Sequence, residues 1–458
     1  MSIHMTKAMI EKFDVPGPRY TSYPTAPEWS TDVTPQIYQN KLHDFGKNDK
    51  TLSLYIHIPF CRTMCSFCAC SVVIRPKDEK YGDEYLRYLF KEIDLVRKSI
   101  GRKKKVKQFH WGGGTPTFLT EKQIEKLFYK IQENFDVDLN GEVAVEIDPR
   151  TIDKGKVQKL RQLGFNRVSM GVQDFDPTVQ ESVNRRQPLT VVEEFNDWCR
   201  ELRFHSINFD LIYGLPYQTP ASVKKTIAQV VRLRPDRIAF YSFAYVPWLK
   251  AHQSKIEKEK LPTNDEKLNI FLNSRGQFLD SGYQAIAMDH FALTQDELAR
   301  AFNAGKLYRN FMGYTVKPAD EYIGLGMTAI GFVGHTYFQN QKTLPQYYRA
   351  LDNHGFAIER GRILSEDDRL RQWVINSLMC QFHLDKNEFK KNFQKDFDEY
   401  FHDEHGNITR YITDGLLSSN AHVLEATELG KVFIRNVCMG FDWYLRQKEG
   451  HKQFSKTI

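Results

Sequence analysis

The chain has 458 residues, 64 Lys and Arg against 57 Asp and Glu, a formal net charge of +7, and 41% hydrophobic and 13% aromatic content. This is enough apolar material for a large core and more than one domain, and too mild a charge to argue by itself for nucleic acid. The start MSIHMTK has no apolar core, no later run approaches the roughly 20 residues of a membrane helix, and 7 cysteines are ordinary usage, so a membrane span, a secretory leader and a disulfide framework are not expected and the protein is expected in the cytoplasm.

From about residue 50 to about residue 245 short β-branched runs alternate with amphipathic stretches of helical length, the pattern of repeated βα units around a parallel sheet. Strands are predicted at 52–58, 106–111, 143–148, 167–172, 206–213 and 237–243, with helices at 83–100, 121–134, 153–163, 191–202 and 220–232. Six units are too few for a closed eight-stranded barrel and suit a partial one. The basic run RKKK at 102–105 reads as a solvated loop before a strand. A helix follows at 264–279 and a short strand near 284–288. The texture changes near 365, where Ser365-Glu-Asp-Asp opens a helix like a capping box. Short helices, a β-hairpin around 415–424 and a last helix at 428–446 would make a winged-helix-like domain. Such domains often bind DNA, but fold does not fix function, and here it reads as a lid or scaffold.

The cysteines carry the chemistry. Cys61, Cys65, Cys68 and Cys70 crowd into CRTMCSFCAC, directly after the first strand. Three thiolates at C-x3-C-x2-C spacing can each reach a different iron of one small cluster and leave a further iron open. Zinc is the competing reading, but it asks for four tetrahedral ligands, usually in two separated pairs, and no second C-x2-C pair exists. Cys199, Cys380 and Cys438 stand singly and read as small buried hydrophobes. In a parallel βα sheet ligands gather at the carboxyl ends of the strands. There the sequence places the cysteine loop, GGGTPT from Gly112, Glu146 and Asp148, Gln173 and Asp174, Asp210, and Ala244-Tyr245. The glycines let backbone approach a ligand closely. Glu146 can accept from a ribose or an ammonium, and Arg185 can pair with a carboxylate.

Several motifs stand together in order: YIHIPFC into the four-cysteine loop, HWGGGTPT, VEIDPR, SMGVQDF, DLIYGLP and GYT, with GPRYTSYPT near the start and IRNVCMGFDWYLR near the end. Over essentially the whole chain they resemble the oxygen-independent coproporphyrinogen III oxidases, a family of radical S-adenosylmethionine enzymes. The resemblance implies a partial (β/α)6 TIM-type barrel at 51–290, preceded by an N-terminal extension at 1–50 that contributes to the substrate site. A connecting region at 291–364 would close the active site, before the mainly helical, winged-helix-like domain at 365–458. It implies a [4Fe–4S] cluster on Cys61, Cys65 and Cys68 and two S-adenosylmethionine molecules. Tyr55, Gly113, Glu146 and Ile330 would line the first; Phe67, Gly114, Thr115, Gln173, Arg185, Asp210 and Ala244 would line the second. Cys70, beside the cluster and not a ligand, would serve catalysis.

The implied reaction converts two propionates of coproporphyrinogen III to vinyl groups without oxygen, through a 5′-deoxyadenosyl radical, giving protoporphyrinogen IX in haem biosynthesis. It implies a low-potential donor such as a flavodoxin, and a monomer. Arg19 is a candidate clamp for a substrate carboxylate. The chain departs from the family at Tyr245, where a histidine is expected, and at Met312 and Val316, where glutamine and threonine are familiar; tyrosine cannot take a proton near neutral pH as histidine can. Rival readings are a haem chaperone of the same cofactor class, expected to lack Cys70 and the N-terminal PRYTSYP segment, a haem-degrading methyltransferase, and a DNA-binding regulator with a sensing cluster.

Overall fold

The computed structural model describes residues 7–353, 355–447, 454 and 456; the start MSIHMT of the N-terminal extension and most of the segment after Gln447 lie outside the described residues. Six parallel strands run in chain order through the middle of one sheet: β1 (Leu52–Ile58), β2 (Lys105–Gly113), β3 (Asp136–Ile147), β4 (Arg167–Gln173), β5 (Ser206–Tyr213) and β6 (Arg237–Ser242). Helices Glu79–Ile100, Glu121–Asn134, Lys154–Gln162, Leu189–Glu201 and Pro220–Leu233 join them. Sequence sets their limits. Thr120 and Thr219 close full capping boxes, Asp78 and Asp153 accept from first-turn amides, and Gly101 ends the first of them at φ 81°.

The sheet continues at both edges. β7 (Tyr283–Ala285) and β8 (His290–Leu293) form an antiparallel hairpin beside β6. On the other side β9 (Glu321–Leu325) pairs in parallel with β1, and β10 (Ile330–Val333), β11 (Thr336–Asn340) and β12 (Ile358–Ile363) follow antiparallel. The order is β12-β11-β10-β9-β1-β2-β3-β4-β5-β6-β8-β7, twelve strands in all. The fold is therefore the expected partial barrel, widened by four strands at the β1 edge that the sequence pattern does not announce.

Alternation along the strands divides the sheet into two faces. Leu52, Leu54, Ile56, Ile58, Val106, Phe109, Trp111, Val143, Val145, Ile207, Phe209, Ile238 and Phe240 are at most 1% exposed and belong to one core cluster. The opposite face carries Gln108, His110, Glu142, Glu146, Arg167, Ser169, Asn208, Asp210, Arg237 and Tyr241, and all of them line a single cavity of about 800 Å³. A closed barrel fills its interior with branched apolar side chains. This one leaves a polar hollow.

The C-terminal domain packs helices Glu366–Gln381, Lys386–Phe393 and His405–Thr413 against a small sheet of His383–Asp385, Leu417–Ser419 and Val423–Ala426. Ser365 and Asp368 form the anticipated capping box. One local expectation changes. The last helix is three short ones, Glu428–Val432, Ile434–Met439 and Trp443–Arg446. Phe433 leaves helical geometry at φ −99°, ψ 23°, with its ring 5.0 Å from Phe13, and Asp442 accepts from the Leu445 amide to start the final turn. Phe13, Tyr20 and Tyr23 of the N-terminal extension sit in this domain's apolar core.

Candidate active site

The cysteine loop leaves β1 through Phe60–Cys61, which pairs with Val73–Ile74 and so pinches the loop at its base. Its backbone carbonyls are captured from outside. Asn184 donates to Met64 O at 2.8 Å, Gln253 to Phe67 O at 3.1 Å, His252 to Cys68 O at 2.7 Å, Lys250 to Cys70 O at 3.1 Å and His57 Nε2 to Ser71 O at 3.0 Å. With the main chain held outward, Cys61, Cys65, Cys68 and Cys70 all line the cavity. Among the described residues no three His, Cys, Asp or Glu side chains converge on a point suited to one ion. Cys199, Cys380 and Cys438 are buried elsewhere.

The surroundings of the thiols favour negative charge. Arg150 and Arg185 place guanidinium nitrogens 3.9 and 3.7 Å from the Cys65 sulfur, and the Thr115 hydroxyl lies 3.4 Å from that of Cys61. A hydrogen bond from Cys70 leads the effects that bring the Cys68 thiol down to about 7, whereas burial pushes Cys61 up to about 11. Both arginines share Asp148, at 2.6 Å from Arg150 and 3.3 Å from Arg185. Three thiols on one loop, with two guanidiniums beside the middle one, are a donor set that fits an anionic thiolate cluster.

Beside this loop the glycine turn shows why it is made of glycine. A Cβ on Gly112 would meet Glu146 Oε2 at 2.7 Å, one on Gly114 would meet Pro59 O at 2.7 Å, and Gly113 has φ +119°. The freed Gly113 amide donates to Glu146 at 3.1 Å, and His110 Nε2 lies 3.2 Å from the other carboxylate oxygen. Burial works against ionisation of Glu146, but His110 and the Gly113 amide outweigh it and keep the group below its ordinary value. Tyr55 stacks on His110 at 5.9 Å and donates to His57 Nδ1 at 3.1 Å. Burial lowers His57 to about 4, so it is neutral and its Nε2–H is free for Ser71.

The far wall is built on β4 to β6. Asp210 accepts from Ser169 at 2.7 Å and Asn208 at 2.9 Å, and burial raises it to about 6. Arg185 donates to Gly171 O at 2.5 Å, through space that a Cβ on Gly171 would invade at 2.9 Å. Gln173 has φ +67°, a conformation a non-glycine residue holds only when its surroundings impose it. The buried Nε atoms of Arg62 and Arg185 have no hydrogen-bond partner, so the cavity wall offers unused cationic donors to an anion.

At the mouth, Arg19 donates to Ser242 O at 3.0 Å, lies 3.8 Å from Asp289 and sits over the Tyr241 ring at 5.8 Å. Burial opposes ionisation of Asp289, yet His290, Arg19 and Arg309 bring it down to about 2. The arm that carries Arg19 is strapped down through its carbonyls. Arg435 holds Pro18 O at 3.0 Å as well as Gly17 O, Arg309 holds Arg19 O at 2.7 Å, Asn436 holds Phe13 O at 2.7 Å and Gln372 holds Tyr23 O at 3.1 Å.

Thus Cys61, Cys65, Phe67, Cys68, Cys70, Gly113, Gly114, Thr115, Glu146, Gln173, Arg185, Asp210 and Ala244 share one cavity with Arg19 and Met312. Tyr55 and Ile330 are not among its lining residues: Tyr55 stands behind His110, and Ile330 packs with Trp29, Tyr322 and Tyr337. Tyr245 packs in the small cluster around Phe243, and Val316 packs separately against the C-terminal core. Sequence reasoning gave no role to Arg150, Lys250, His252, Gln253 or the Asp289–His290 pair. Arg150 was visible in VEIDPR; the others carry no local signal.

A family model described as the radical SAM superfamily matches residues 55–230, and one described as the HemN C-terminal domain matches 364–433. An oxygen-independent coproporphyrinogen III oxidase from Synechocystis is 42% identical, over 100% of this chain and 99% of its own length, and one from Helicobacter pylori is 44% identical over 98% of each. The solved structure of coproporphyrinogen III oxidase from Escherichia coli, described as a radical SAM enzyme, superposes with a TM-score of 0.92 at 40% identity, covering 97% of this chain and 100% of that one. With barrel, cysteine loop and C-terminal domain alike matched end to end, the chain belongs to the oxygen-independent coproporphyrinogen III oxidase family of radical SAM proteins.

Proposed function

We propose that the protein converts two propionate side chains of coproporphyrinogen III to vinyl groups without oxygen, giving protoporphyrinogen IX. The observation that carries this is the full-length likeness to oxidases of that name, joined to a polar cavity lined by the three-thiol loop, Glu146, Arg185 and Asp210. Cys61, Cys65 and Cys68 would hold a [4Fe–4S] cluster. Tyr55, Gly113, Glu146 and Ile330 would serve one S-adenosylmethionine, and Phe67, Gly114, Thr115, Gln173, Arg185, Asp210 and Ala244 a second. Once bound, these groups supply a carbon-centred radical that can take hydrogen from the propionate β-carbon.

The chain's own residues do the positioning. Glu146, ionised and fixed by two partners, accepts from an ammonium or hydroxyl, while Arg185 and Arg62 have Nε donors left for a carboxylate. Arg19, presented by the strapped arm, would take a propionate, and the N-terminal extension would thereby join the substrate site. Cys70 lines the cavity and is exposed to it, open to a substrate rather than packed away. The reaction requires that solvent and stray hydrogen donors be kept from the reacting carbon. A low-potential donor such as a flavodoxin, a monomeric state and a cytoplasmic site complete the reading; no helix among the described residues is long and apolar enough to cross a membrane.

The test is an anaerobic incubation of the reconstituted protein with coproporphyrinogen III, S-adenosylmethionine and a strong reductant, reading porphyrin mass and 5′-deoxyadenosine together. Protoporphyrinogen IX with matching 5′-deoxyadenosine is the expected result. Deoxyadenosine without decarboxylation would keep the cofactor chemistry, refute the substrate, and direct attention to Met312 and Tyr245.

A further inference from the structure

The surface beside the cysteine loop carries a feature that the reaction does not use. Trp248 and Leu249 are 60% and 63% exposed, the most exposed large hydrophobic side chains among the described residues, and they are adjacent. Scattered single apolar residues on a surface are ordinary; an exposed tryptophan beside a second apolar side chain is the kind of anchor on which protein contacts concentrate their energy. The pair is held in place. Leu249 N donates to Val246 O at 2.9 Å, Val246 N donates to Gln253 Oε1 at 2.6 Å, and Val246 and Ile256 are buried.

This segment is also the one fastened to the loop. Lys250, His252 and Gln253 donate to the carbonyls of Cys70, Cys68 and Phe67 at 3.1, 2.7 and 3.1 Å. Trp248 stands two residues from Lys250, at most about 7 Å along the backbone. The segment is basic. Residues 246–261 carry Lys250, Lys255, Lys258 and Lys260 against Glu257 and Glu259. Lys255 and Lys258 point to solvent in exposed positions.

We propose that Trp248 and Leu249, with the lysines that follow them, form the docking surface for an acidic one-electron carrier protein. The inference rests on the functional reading above. An apolar pair followed by a lysine-rich stretch suits a partner with a carboxylate-rich rim around a flavin or iron–sulfur edge, since complementary charge steers encounter and the apolar pair excludes water at contact. The location serves electron delivery, because the segment that receives the partner touches the backbone of the loop that would hold the cluster. In each productive encounter the carrier is oxidised by one electron and the cluster on the loop is reduced by one, with no atom exchanged.

The experiment uses the full-length, cluster-loaded protein and a flavodoxin as probe. Two double variants are compared with the unaltered protein: W248A/L249S and K255E/K258E. Calorimetric titration with flavodoxin should give a Kd raised about tenfold or more in each variant, and the salt dependence of binding should be shallower in K255E/K258E. Oxidation of flavodoxin hydroquinone on mixing should slow in step, while 5′-deoxyadenosine formation driven by dithionite stays as in the unaltered protein. Unchanged Kd and oxidation rate in both variants would overturn the docking surface alone. Equal loss of the dithionite-driven reaction would also overturn it, by placing these residues with substrate or structure. Failure of dithionite to give 5′-deoxyadenosine in the unaltered protein would instead overturn the functional reading.

Discussion

The two faces of the same six strands obey different rules. On the outer face of β1, Leu52, Leu54, Ile56 and Ile58 are 0% exposed and packed against helices; on the inner face Ser53, Tyr55 and His57 hydrogen-bond sideways to Gln108, to one another and to the cysteine loop. The outer face is an energy store that any well-shaped apolar set could fill. The inner face is a polar hollow whose groups are satisfied mainly by neighbours, so its substitutions should register in chemistry before they register in stability.

The sharpest form of this contrast is Cys65→Ser. It should abolish the visible absorbance of a reconstituted cluster and all S-adenosylmethionine cleavage, while urea unfolding of the cluster-free protein shifts by no more than about 1 kcal/mol; a large loss of stability would break the division between faces. Cys70→Ser should keep the cluster absorbance and lose vinyl formation, and loss of the absorbance would show Cys70 to be a ligand. On the outer face, Ile56→Ala should cost about 3 kcal/mol in unfolding of the cluster-free protein and leave S-adenosylmethionine affinity unchanged. The smallest effect concerns Asp210, raised by burial to about 6. Between its unfolded value near 4 and about 6 the folded state binds more protons than the unfolded one, so stability falls as pH rises through that window. Asp210→Asn should remove that slope, at most about 1.4 kcal/mol per pH unit; an unchanged pH profile of unfolding would show that the carboxyl is not held protonated.

The outer face was also what made the fold readable. β1 and β5 have the limits that alternation predicts, and the helix Glu121–Asn134 does too, because its Thr120 and Gln123 form a reciprocal cap. β9 to β12 were missed for a physical reason. Glu321–Leu325 and Thr336–Asn340 are buried at every position, so no alternation survives, and Ile330–Val333 has only four residues. The last helix was overextended because its periodicity continues through Phe433 and Gly440 although tertiary contacts of the Phe433 ring redirect the backbone. In the site, thiol spacing and the glycine turn were legible as local patterns. The groups that clasp the loop were not, since Lys250, His252 and Gln253 lie 180 to 186 residues away from the carbonyls they hold.

The strapped arm ties distant parts of the molecule to one entrance. Its carbonyls are held by side chains 290 to 423 positions further along, from Arg309 to Asn436, while Arg19 itself rests on Ser242 and Asp289 beside β6. Barrel and C-terminal domain thus grip the same short segment, and the placing of Arg19 reports on how well the two are assembled.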